Sequence, residues 1–216
     1  MTAILRYAFL KTTRDGSFIA FALVPILMPV AALVGGTVAQ THGLHYPFFM
    51  GRGETPLQSA TDVANMTTAL AAFFAVLPAF WTFRTEIASR SIGSLALATR
   101  PVMIVLALMT LTTAIMIVAW LISMIAILAL TTAWPPHVGT LSLKLIAVCL
   151  SASATGAAAV AISPEPAMVV AVYLVSAVSI AWFEKAKSAP MLIVPLALSA
   201  ILAAVATFAL ERRCAR

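Results

Sequence analysis

Charged residues make up only 9% of this chain, against about 25% in an ordinary soluble domain. Histidine occurs three times and cysteine twice in 216 residues. With 62% of residues hydrophobic and a mean hydropathy of +1.07, so few charges cannot cover a water-soluble surface. Lipid is the solvent this composition predicts. The shortages also exclude chemistry. There is no H-E-x-x-H pair for zinc, no G-x-S-x-G nucleophile elbow and no G-x-x-x-x-G-K-[ST] phosphate loop. No catalytic residue, resident metal or cofactor is therefore expected in this chain. Cys149 falls in an apolar run and Cys214 in the terminal tail, without metal-ligand spacing. His42 and His45, with Glu54 beyond them, are too sparse a set to predict a metal site. The formal charge is +6, but the basic residues form no stripe interleaved with aromatics, so no nucleic acid is expected as a partner.

What is present is a series of apolar runs, each near the roughly 20 residues that span a bilayer as a helix. They cover Ser17 to Gly36, Val63 to Phe83, Pro101 to Trp134, Leu141 to Ile162, Ala167 to Phe183 and Met191 to Leu210. The fold class expected is all-α: one polytopic transmembrane domain over 1–216, with about six spanning helices. The third run is long enough to tilt or to project beyond the lipid. Residues 1–14 repeat Ile4, Leu5, Ala8 and Phe9 at helical spacing beside Arg6, Lys11 and Arg14. That pattern predicts an N-terminal interfacial helix, or else an extension of the first span. The first run exceeds the h-region of a signal peptide and is expected to be retained. Between Thr37 and Ala60, glycines, prolines and the cluster Tyr46 to Met50 predict an external loop or a short interfacial helix.

Basic residues near span ends set orientation. With both termini in the cytoplasm, nine lie inside (Arg6, Lys11, Arg14, Arg84, Arg90, Arg100, Arg212, Arg213 and Arg216) and four outside (Arg52, Lys144, Lys185 and Lys187). The expectation is N-in and C-in. The run interiors hold no Asp, Glu, Lys, Arg or His, apart from Lys144 near the outer end of the fourth. Intramembrane ionisable groups usually mark proton relays and ion sites, so a proton-coupled carrier is disfavoured. Directed transport would have to draw its energy from another polypeptide. The fourth run is small-sided from Ser151 to Ala159, which suits close helix packing or simply reflects abundant alanine. Pro25, Pro29, Pro78 and Pro195 fall inside runs and are expected to kink them.

The segment from Arg84 to Arg100 places Ala88, Ile92, Leu95 and Ala96 at helical spacing, opposite Ser89, Arg90 and Ser94. It predicts a short helix on the inner surface with its charged side available. Glu86 followed by Gly93-Ser94-Leu95 and then Pro101 opening the third span resembles the permease subunits of the type-2 ABC exporter family. The layout is similar as well: interfacial N-terminal helix, six spans, both termini inside and a basic tail. Family members commonly carry a re-entrant helical segment between spans five and six, where this chain has only Glu184 to Pro190. The resemblance implies a permease in a bacterial cytoplasmic (inner) membrane. It would pair with a second copy or a homologue and be energised by a separate ATPase subunit that binds ATP and Mg. Residues 84–100 would then be the coupling segment gripped by the ATPase, with Glu86, Arg90, Gly93 and Leu95 as its contact residues. The alternative is a non-transporting accessory or scaffold subunit of a larger membrane complex.

Overall fold

The computed structural model describes residues 56–88, 100–135, 137–163, 165 and 193–214, with Arg6, Leu10, Leu23, Val24, Leu27 and Ala31 as isolated helical positions. The described residues are all-helical, without strands. Five helices follow in order: α1 (Pro56–Phe74), α2 (Val76–Ala88), α3 (Pro101–Thr131), α4 (Val138–Ile162) and α5 (Ile193–Cys214). Three of them, α3, α4 and α5, are long and apolar enough to cross a membrane. They correspond to the third, fourth and sixth predicted spans. The first and fifth runs, the proposed interfacial helix and most of the loop after the first run lie outside the described residues, isolated positions apart.

Proline chemistry sets several of the described helix ends. A residue before proline is pushed out of the α region, and Arg100 is accordingly extended at φ −68°, ψ 136°. Pro101 then opens α3, where its missing N–H costs nothing. At the far end of α4, Ser163 stands before Pro164 and is extended at φ −147°, ψ 122°, while its N–H still bonds the Ala159 carbonyl at 2.8 Å. Thr132 closes α3 in the left-handed region (φ 54°), donating its N–H to the Leu128 carbonyl at 2.8 Å, an αL termination. The third helix therefore ends three residues before Trp134, where the apolar run itself ends.

The second predicted span is two helices. Pro78 has no N–H for the Phe74 carbonyl, and the helix breaks at Ala75, within that unsatisfied turn. The first half also starts earlier than the apolar run, at Pro56 rather than Val63. Its inward face explains why. Ala60, Val63, Ala64, Thr67, Thr68 and Ala71 are buried at helical spacing, although the polar neighbours Asp62 and Asn65 dilute the hydropathy.

Packing centres on α4, which touches all four other helices. Every residue from Ser151 to Ala161 is buried, and 83% of its most apolar window is buried, against 39% for α3 and 22% for α5. Small side chains let the neighbouring backbones close on this helix from every side. Many large aliphatic side chains lie outside instead, although Ile104, Ile127, Leu145 and Leu210 are buried. On α3, Val118, Leu121, Ile122, Ile125 and Leu128 form an exposed row with i, i+3, i+4 and i+7 spacing, and α5 exposes Ile193, Val194, Ile201, Val205 and Phe208. Hydroxyls inward and large aliphatics outward is the distribution lipid solvent favours, since burial against protein gains nothing for an alkyl group already in lipid.

Candidate functional site

Apart from Ser199 on α5, the buried polar groups among the described residues lie along a seam of α1, α3 and α4. Thr67 and Thr68 come from α1, Thr112, Thr113 and Ser123 from α3, and Ser151, Ser153 and Thr155 from α4. Each sits on a helix face already turned inward by its apolar neighbours. Most hydroxyls in the seam first satisfy their own helix. Thr67 donates to the Val63 carbonyl and Thr68 to the Ala64 carbonyl, both at 2.7 Å, and Thr155 donates to the Ser151 carbonyl at 2.8 Å. This back-bonding removes the hydroxyl proton from competition and leaves the oxygen as an acceptor.

Two contacts join helices. The Trp120 indole N–H donates to the Thr68 hydroxyl oxygen at 2.8 Å, tying α3 to α1. The Thr112 and Ser153 hydroxyls share a bond of 2.9 Å, tying α3 to α4. Thr112 also lies 3.0 Å from the Leu108 and Met109 carbonyls, so its single proton is held near backbone acceptors. Trp120 is 1% exposed, which places a large ring with a polar edge in the middle of the bundle. Such a ring is tolerated in an interior only when its N–H is matched. By contrast, the buried Thr113 Oγ1 and Ser151 Oγ have no hydrogen-bond partner.

Acid–base chemistry has no carrier in this seam. No ionisable side chain lies among its residues, and no group of three or more His, Cys, Asp or Glu residues comes together among the described ones. Cys149 is a buried free cysteine in α4. The seam offers hydrogen bonds and close packing.

The charged groups gather at helix ends. Arg84, near the end of α2, stands over the Trp81 ring at 5.3 Å, and Arg212, near the end of α5, over the Phe208 ring at 4.5 Å. A guanidinium above an aromatic face, at the edge of an apolar segment, is an anchoring arrangement. Of the four residues expected to contact a partner, Glu86 lies within α2. Arg90, Gly93 and Leu95 lie outside the described residues. Ser153 belongs to the small-sided stretch expected to pack closely, whereas Trp120, Thr68 and Thr112 carry no expectation from the sequence. The signal available was an indole and several hydroxyls inside runs otherwise free of polar groups. No known family matches the sequence, and neither a curated protein nor a solved structure matches the chain.

Proposed function

We propose that this chain is the membrane-spanning permease subunit of an ATP-driven exporter, acting as a dimer and energised by a separate ATPase subunit. The observation that carries the reading is the packing of the two helices that residues 89–99 connect in sequence. This segment joins the end of α2 to the start of α3, and those two helices pack against α4 and α1 respectively. A partner that moved the segment would pull on two helices whose contacts reach the whole described bundle. The motif running from Glu86 through Gly93, Ser94 and Leu95 to Pro101 lies on this path. The seam residues include no Asp, Glu, Lys, Arg or His, which is compatible with this reading, since directed transport without such groups would draw its energy from another polypeptide.

Reconstitution tests this. The purified chain in liposomes should hydrolyse no ATP, and hydrolysis should appear when an ATPase subunit encoded beside it is added. Partition of that ATPase onto the liposomes should depend on the chain. Hydrolysis by the chain alone, with contaminants excluded, removes the permease reading. Stable co-purification with a complex that contains no ATPase favours the accessory-subunit alternative.

A further inference from the structure

Outside the seam, α3 and α5 leave a groove of about 460 Å³ between the first turns of α3 and the last turns of α5. Its walls include Val105 and Leu106 from α3 and Ala203, Ala204 and Thr207 from α5, and Glu211 stands at its end. The groove exists because alanines face the α3 aliphatics there, with Leu106 and Phe208 exposed beside it. Thr207 does not make the wall polar, since its hydroxyl is spent on the Ala203 carbonyl at 2.8 Å. The volume falls within the range of small-molecule sites.

The charged end of the groove is distinctive. Arg100 is exposed and directly precedes α3, two residues before the groove-lining Val102, and its side chain does not cap the helix. Arg212 is exposed and adjoins Glu211. Glu211 lines the groove, Arg212 lies over the groove-lining Phe208 ring at 4.5 Å, and Arg100 adjoins Pro101 at the uncapped start of α3; beside an apolar trough, these groups complement an alkyl chain bearing a phosphate and an ammonium. Helix N-termini and guanidinium groups both favour phosphate, and Glu211 complements an ammonium.

We propose that this groove holds one acyl chain of a phospholipid, with its phosphate met by Arg100, Arg212 and the first turn of α3. The proposal rests on the chain being embedded in lipid and not on its being a permease. The bound lipid wedges α3 against α5 at the end of the bundle where α3 begins.

The test uses the full chain in phosphatidylcholine nanodiscs doped with phosphatidylethanolamine carrying a diazirine in its tail. Cross-links are mapped by peptide mass spectrometry, with the exposed α3 residues Ile122 and Ile125 as the reference for ordinary lipid contact. Leu106, Ala203 and Ala204 should be labelled roughly tenfold more than the reference, the ratio a preference of about 1.4 kcal/mol produces. Ala204→Trp, which fills the groove, should abolish the excess. Should that variant misfold, Arg100→Gln combined with Arg212→Gln alters only exposed side chains and should lower the excess severalfold. Equal labelling of groove and reference overturns the proposal, as does an excess that survives both variants. A labelled reference with an unlabelled groove also overturns it and points to a second copy covering this face. No labelling at either place removes the membrane-embedded reading and the groove proposal together.

Discussion

Replacing Trp120 with alanine should lower the stability of the chain by about 3 kcal/mol, the lower end of the range for losing a large buried ring. The ring is 1% exposed and is the largest of the fully buried side chains. In lipid the transfer term that drives burial in water is largely absent, so what disappears is contact and the hydrogen bond. Trp120→Phe separates the two. It keeps most of the ring and removes the N–H, while the Thr68 hydroxyl keeps its 2.7 Å bond to the Ala64 carbonyl. No donor is orphaned, and the cost should be about 1 kcal/mol. Combined with Thr68→Val in a double-mutant cycle, the two changes should show a coupling of about 0.6 kcal/mol. Unfolding by SDS in mixed micelles measures all four species. Strictly additive costs would show that the indole–hydroxyl bond does not hold α3 to α1.

The second large effect concerns Glu86 and rests on the permease proposal. Glu86→Lys should reduce ATP-driven transport by about 5–150-fold, the range of ordinary coupling free energies, while leaving the fold intact. The location of Glu86 makes this separation possible. It lies within α2 (Val76–Ala88) and is not among the residues of the buried seam. Glutamate and lysine have similar helix propensities, so the change should leave stability within a few tenths of a kcal/mol. Loss of transport together with unchanged stability therefore assigns Glu86 to a partner contact. Gly93→Leu should act in the same direction by adding bulk to that contact. If both variants transport and bind the ATPase as the wild type does, residues 84–100 only anchor helix ends at the lipid surface, where exposed charges contribute little.

Much of the helix layout could be read from the sequence because proline and apolar length are local signals. Pro101 marks the start of α3 and Ser163-Pro164 the end of α4, and both boundaries fall where they were expected. The start of α1 was less legible. Asp62 and Asn65 lower the local hydropathy, yet Ala60, Ala64, Thr68 and Ala71 carry a helical period that a count of apolar residues misses. Pro78 predicts a kink, but the sequence does not say that the break falls at Ala75. Nor could the seam be read locally. Its two interhelical bonds join residues 41 and 52 positions apart, and each depends on the packing of α3. Small residues from Ser151 to Ala159 were compatible with a packing interface or with mere abundance of alanine. Complete burial of that stretch decides for the interface within the chain.

Coupling to an ATPase in the cytoplasm requires residues 84–100 to face that side of the membrane, since the ATPase can grip only what reaches it. Impermeant maleimide labelling of single cysteines in intact cells measures this directly, with Cys214→Ser removing the terminal thiol and Cys149 buried in α4. Arg90→Cys should resist labelling until the cells are permeabilised, whereas His137→Cys, exposed at the start of α4, should label at once. Labelling of Arg90→Cys in intact cells would put the segment on the outer side and contradict the coupling proposal.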